Sequence, residues 1–159
     1  MSRIAYVNGQ YVPHAEAQIH VEDRGYQFAD GVYEVAAIFR GRIIDEDGHL
    51  ARLKRSLDEL QMPMPMPDRP FAAVCRETLR RNRVRDGIIY IQVSRGVSRR
   101  DHPFPEHVTP ALVMTARAVH WPVNADDDCG AEVVSVADIR WLRRDVKSIS
   151  LLPNVLAKQ

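Results

Sequence analysis

The spacing of apolar and polar residues predicts most of the first two thirds of the chain. In Ile4-Ala-Tyr-Val-Asn8-Gly9-Gln-Tyr-Val, two β-prone runs flank an Asn-Gly pair in which both residues accept positive φ, so a type I′ hairpin is expected. Residues 32–39 are rich in β-branched and aromatic side chains, with Tyr33, Val35, Ala37 and Phe39 on one face. Gly41 then turns the chain into a second hairpin through Arg42-Ile-Ile. Between residues 47 and 60, Leu50, Leu53, Leu57 and Leu60 form one apolar stripe at helical spacing, on a helix started by Asp45 or Asp47. Met62-Pro-Met-Pro-Met-Pro67 cannot continue it, because each proline lacks an N–H and drives its predecessor toward extended geometry. A second helix is expected over residues 68–82, with Phe71, Val74, Cys75, Thr78 and Leu79 inward. Residues 87–93 and 111–116 read as buried strands.

Beyond residue 117 the pattern changes. Residues 118–128 are polar and contain a proline, which reads as an interdomain linker between an N-terminal α+β domain (1–117) and a second unit (129–159). That unit offers a strand at 132–137 and the opening of a helix at 153–159. A helix of about seven residues is unstable alone, so the expectation is a truncated second domain.

With 22 Lys plus Arg against 21 Asp plus Glu, no global charge steers the chain toward nucleic acid or an anionic membrane. The arginines at 76, 80, 81, 83 and 85 lack interleaved aromatics and read as a solvated face. No run approaches a membrane span, and the first 30 residues lack an apolar signal core. Cys75 and Cys129 lie far apart without metal-ligand spacing. Together these point to a cytoplasmic protein with no metal, no nucleic-acid partner and no membrane partner.

Lys147 is the lysine whose surroundings suggest chemistry. A free amine is a poor nucleophile at its ordinary pKa of about 10.4, and desolvation or neighbouring cations must depress that value before it forms a Schiff base. Arg140, Arg143 and Arg144 could supply the cations, and Ile139, Val146, Ile149, Leu151 and Leu152 the apolar walls.

Four segments in order carry a family resemblance. They are Glu22-Asp-Arg-Gly-Tyr-Gln-Phe-Ala-Asp-Gly-Val-Tyr33-Glu34, His49-Leu-Ala-Arg52-Leu, Ser94-Arg-Gly-Val-Ser-Arg-Arg100-Asp-His102-Pro-Phe-Pro, and Asp138-Ile-Arg-Trp-Leu-Arg-Arg-Asp-Val-Lys147-Ser. The last continues into Leu151-Leu-Pro-Asn-Val-Leu-Ala-Lys-Gln159. Over essentially its whole length the chain resembles the class IV pyridoxal-phosphate aminotransferases, and within them the D-amino acid transaminases. Arg144 stands where those transaminases commonly have a cysteine.

The resemblance implies an α+β fold: the small N-terminal domain of the fold type IV enzymes, plus the start of the larger cofactor-binding domain. It implies transamination between a D-amino acid, such as D-alanine, and a 2-oxo acid, with pyridoxal 5'-phosphate as cofactor. Lys147 would be the Schiff-base lysine and proton shuttle, and Arg52 the ligand of the cofactor phosphate, a task suited to a planar, permanently charged donor. Tyr33, Arg100 and His102 would bind the substrate carboxylate, the last two reaching in from the neighbouring subunit of a homodimer. The acid that pairs with the pyridine nitrogen lies in the family's later region, so the 159-residue chain alone is expected to be inactive or nearly so. Branched-chain aminotransferase and aminodeoxychorismate lyase share the fold and the lysine, and the Arg100 and His102 element argues against both. A non-catalytic dimerisation or binding module built on residues 1–117 is the alternative from another class.

Overall fold

The structure is a computed structural model that describes residues 3–107, 109–121, 133–135, 137–138 and 142–159. Two tight hairpins open the sheet. Strands β1 (Ile4–Val7) and β2 (Gln10–Pro13) are joined by Asn8 and Gly9, both at positive φ, as the type I′ turn requires. A short 3₁₀ turn (His14–Glu16) and helix α1 (Arg24–Phe28) lead into β3 (Gly31–Phe39). Arg40 and Gly41, again at positive φ, return the chain as β4 (Arg42–Ile43).

Helix α2 (Glu46–Glu59) has Asp45 at its N-cap position, but that residue is left-handed and its side chain makes no capping bond. The leucine stripe faces inward: Leu53 and Leu57 are buried, and Leu50 and Leu60 pack at the margin of the core. Met62 is buried and Met64 and Met66 lie against the core, so the Met-Pro spacer covers it. Helix α3 (Asp68–Asn82) buries Phe71, Cys75, Thr78 and Leu79. Its last residue, Asn82, clips β1 by accepting from the Ile4 amide and donating to the Ile4 carbonyl. On its outer side, Arg80 and Arg81 both pair with Glu77, and Arg76 pairs with Glu46.

Strands β5 (Gly87–Ser94) and β6 (Ala111–Ala118) complete a six-stranded sheet in the order β2-β1-β6-β5-β3-β4, antiparallel throughout. Helix α2 packs on β3, and α3 on β6 and β1. The result is the α+β architecture expected from the sequence. The core face of β3 carries Val32, Glu34, Ala36 and Ile38, whereas Tyr33, Val35 and Ala37 are half-buried on the opposite face. A carboxylate therefore sits among the apolar residues of the core face, with Glu34 only 1% exposed.

The expectation of a strand at 132–137 is corrected for its described residues. Residues 133–135 and 137 are not in a strand, and Val133 and Val134 are exposed. Extended backbone becomes a stable strand only through ladder partners, and none pairs with these residues among the described ones. Positions 122–128 of the expected linker, Cys129, Ile139 and Arg140 lie outside the described residues. Helix α4 (Leu152–Lys158) closes the chain, with Pro153 in its first turn.

Candidate active site

The upper half of β3 has β5 on one side, while its other edge, beyond the reach of β4, receives the Lys147 segment. The Tyr33 amide donates to the Lys147 carbonyl, the Ile149 amide donates to the Gly31 carbonyl, and Val32 forms an isolated antiparallel bridge with Ser148. Gly31 leaves room for this approach. A Cβ there would lie 2.7 Å from the Val93 carbonyl oxygen and 3.2 Å from Ile149 Cδ1.

Helix α2 holds the same segment from the other side. The Lys147 amide donates to Ser56 Oγ at 3.2 Å, Arg143 pairs with Glu59, and Val146 is buried in the core cluster. Ser56 is fully buried, an unusual state for a hydroxyl on an amphipathic helix, and gripping this amide accounts for it.

The Lys147 ammonium lies over the Tyr33 ring, with Nζ 3.9 Å from the centroid. Lys147, Tyr33, Arg144, Ser150, Leu151 and Asn154 are among the residues lining a solvent-open cleft of about 140 Å³. A larger hollow of about 870 Å³ lies near Tyr6, Asn8, Met66 and His107 and contains none of the expected site residues. Of the expected site residues, Tyr33 and Lys147 line the smaller one. Of the cations expected around Lys147, Arg144 lines the cleft but pairs with Asp138, and Arg143 is engaged by Asp145 and Glu59.

Arg52 precedes Ser56 by one turn of α2, roughly 6 Å along the axis, and so faces the same margin of β3. Its Nε donates to Glu34 Oε1 and its Nη2 to Oε2, each at 2.6 Å, while His49 Nδ1 lies 2.7 Å from Oε2. Burial pushes the Glu34 carboxyl up, but hydrogen bonds from Arg52 and then His49 outweigh it and hold the group below the usual carboxylate value. Arg52 is correspondingly raised, chiefly by that hydrogen bond.

Arg100 and His102 are exposed and lie apart from the Lys147 cleft. Both gather around Phe28: the Arg100 guanidinium is 4.9 Å from the ring centroid, and the His102 ring is 5.7 Å away. Their loop is held by Arg24, whose Nη1 donates to the Asp101 carbonyl at 2.6 Å and whose Nη2 donates to the His102 carbonyl at 3.3 Å. Asp30 in turn accepts from Arg24 and Arg95, and Arg95 also donates to the carbonyls of Leu60 and Gln61 at the end of α2. Asp23 caps α1 through the Gly25 amide and accepts from Ser94 Oγ.

Glu34, His49, Ser56, Arg24, Asp30 and Arg95 were not singled out by sequence. A partial signal for Glu34 exists, since strand alternation places its carboxylate on one face with Val32 and Ala36, and packing against α2 makes that face the core. His49 and Arg52, three apart on one helix face, supply the matching donors.

The donor set suits an aldehyde-bearing phosphate ester. It offers an amine at the cleft wall and, one helical turn of α2 before the serine that anchors the Lys147 amide, a guanidinium whose Nη1 makes no hydrogen bond among the described residues.

A family profile described as "Amino-transferase class IV" matches residues 31–159. The D-alanine aminotransferase of Staphylococcus haemolyticus is 39% identical over 97% of this chain and 55% of its own length. That of Bacillus licheniformis is 36% identical over 96% and 53%. The chain thus spans about half the length of the curated relatives it matches. Among solved structures, the 4-amino-4-deoxychorismate lyase of Pseudomonas aeruginosa aligns with a TM-score of 0.58 at 25% identity, over 72% of this chain and 39% of that one. The branched-chain aminotransferase of Escherichia coli aligns at 0.68 and 18% identity, over 79% and 43%, which speaks to fold alone. On the profile match and the shared fold, the chain belongs to the class IV aminotransferase family.

Proposed function

We propose that this chain carries the lysine half of a pyridoxal-phosphate site for transamination between a D-amino acid and a 2-oxo acid. The observation that carries the reading is the Lys147 amine, held 3.9 Å from the Tyr33 ring centroid at the edge of β3, in a family of aminotransferases. When bound, the cofactor supplies a conjugated electron sink for the charge left at the substrate Cα.

Lys147 would hold the cofactor covalently through Nζ, and Arg52 would bind its phosphate through the donors that Glu34 leaves free. Lys147 Nζ would also serve as the base that takes the proton from the substrate Cα and, as its ammonium, as the acid that gives a proton back. The Ser56 hydroxyl and the Tyr33 amide fix the Lys147 backbone, so the amine moves on a short tether. The Tyr33 hydroxyl, with Arg100 and His102 from a second copy of the chain, binds the substrate carboxylate and so chooses which face of Cα meets the lysine. The preference for D-amino acids rests on the D-alanine aminotransferase relatives. Residues 1–117, 118–128 and 129–159 are retained as domain, linker and second unit, in a cytoplasmic homodimer. No helix among the described residues is long and apolar enough to cross a membrane.

The test is visible absorbance with pyridoxal phosphate, then borohydride reduction and mapping of the labelled lysine. Selective label on Lys147, lost in Lys147→Ala, is the expected result; label scattered over several lysines would overturn the assignment. Assays with D-alanine, L-leucine and aminodeoxychorismate then separate the family's activities, and turnover of L-leucine alone would overturn the substrate class.

A further inference from the structure

Arg52 is the only member of the proposed site whose charged group is gripped by a fully buried carboxylate, and the grip has a direction. Glu34 points from the core face of β3 toward α2 and accepts two parallel bonds from the side edge of the guanidinium, Nε and Nη2. A bidentate fork fixes the plane of a guanidinium as well as its position. With the side edge engaged, Nη1 makes no hydrogen bond among the described residues, and the Arg52 side chain is 43% exposed. His49, one turn earlier on α2, also contacts Oε2, with its Nδ1 beside Arg52 Nη2, and so braces the carboxylate in the position that holds the arginine.

Two facts tie this grip to the lysine cleft. Glu34 follows Tyr33 directly on β3, so one strand presents Tyr33 to Lys147 on one face and Glu34 to Arg52 on the other. Helix α2 supplies both Arg52 and Ser56, the hydroxyl that accepts from the Lys147 amide. One helix thus carries both the Arg52 backbone and the hydroxyl that anchors the Lys147 backbone.

We propose that Glu34, braced by His49, is a positioning residue that holds the Arg52 guanidinium with its Nη1 end presented to the cofactor phosphate. The inference rests on the reading of Arg52 as the phosphate ligand. A long, flexible side chain at the surface of a helix samples many rotamers, and a fixed one binds an oxyanion without that ordering cost. The opposing effect is electrostatic: an adjacent carboxylate partly neutralises the arginine and weakens its attraction for phosphate. Orientation prevails here because the carboxylate is buried in the core on the Nε and Nη2 side, while the Arg52 side chain as a whole is partly open to solvent.

The experiment compares equilibrium affinities of the full chain for pyridoxal phosphate and for pyridoxal, which differ only in the phosphate. Arg52→Ala should abolish most of the preference for the phosphorylated form. Glu34→Gln should reduce that preference about tenfold while leaving pyridoxal affinity unchanged. His49→Gln, a change at a less buried position, should reduce it in the same direction and keeps the test available if Glu34→Gln does not fold. An unchanged preference in Arg52→Ala would remove the phosphate reading and the inference with it. A collapsed preference in Arg52→Ala, with an unchanged or increased one in Glu34→Gln or His49→Gln, would remove the inference alone.

Discussion

Asp30 and Glu34 stand on or beside the same strand, and each is a buried carboxylate held by two nitrogen-bearing side chains, yet they do different work. Around Asp30, both Arg24 and Arg95 have side chains 4% exposed, and their remaining donors go to the carbonyls of Asp101, His102, Leu60 and Gln61. The cluster is closed on itself and joins α1, the Arg100 loop and the end of α2. Around Glu34, Arg52 keeps one end free at the surface. A carboxylate with two cations is thus neither structural nor functional by composition. What decides is whether a cation retains an uncommitted donor at the surface.

The sharpest way to break the comparison is to remove the charge from the closed cluster. Asp30→Asn leaves two buried guanidinium groups facing each other without a counter-charge, and an uncompensated buried charge costs about 3–5 kcal/mol. Urea denaturation should record a loss of that size. A loss below about 1 kcal/mol would mean that water reaches the arginines and that the cluster is not closed.

Glu34→Gln should cost less, about 1–3 kcal/mol, because Arg52 can turn into water once released. This loss should depend on pH, and its sign follows from the direction of the shift. The folded carboxyl is held below its usual value of 4.5, so its stabilisation is fully present above that value and fades as pH falls through the lower folded one. The stability difference between the parent chain and Glu34→Gln, followed by urea midpoints from pH 7 downward, should therefore hold steady and then narrow below about pH 4. A difference that grew with acidity would show that the carboxylate is not held ionised by Arg52 and His49.

The closed cluster and the open one were not equally hidden in the sequence. Local devices were legible because a few adjacent residues determine them: Asn8-Gly9 makes its turn, the leucine stripe orients α2, and Phe71, Cys75 and Leu79 orient α3. The buried face of β3 was less so, since both of its faces carry apolar residues and only packing against α2 chooses Val32, Ala36 and Ile38 over Tyr33, Val35 and Ala37. Lys147 stood out by its surroundings and then by motif resemblance, and Arg52, Tyr33, Arg100 and His102 by resemblance. The residues that hold them did not, because Ser56 meets Lys147, and Arg24 meets His102, only after the chain has folded. A strand expected at 132–137 had β-prone composition but no partner among the described residues, and partners are what pattern alone cannot supply.

A third cluster gives the smallest expected effect and the most direct control. Glu77, on the outer side of α3, accepts two bonds from Arg80 and one from Arg81, so its partners resemble those of Asp30. Hydrogen bonds from Arg80 and then Arg81 bring its carboxyl down to about 2. Taken at face value that shift would make Glu77 a major stabiliser. Water and salt intervene: the side chains are open to solvent, long exposed arginines lose freedom when paired, and counterions screen the attraction. Glu77→Gln should therefore move the urea midpoint less than either buried substitution, and the residue of its effect should vanish in 1 M salt, where screening acts over only about 3 Å. If Glu77→Gln instead matched Asp30→Asn, the number of hydrogen bonds rather than their burial would set the strength of these clusters. The distinction between the closed cluster at Asp30 and the open one at Glu34 would then lose its physical basis.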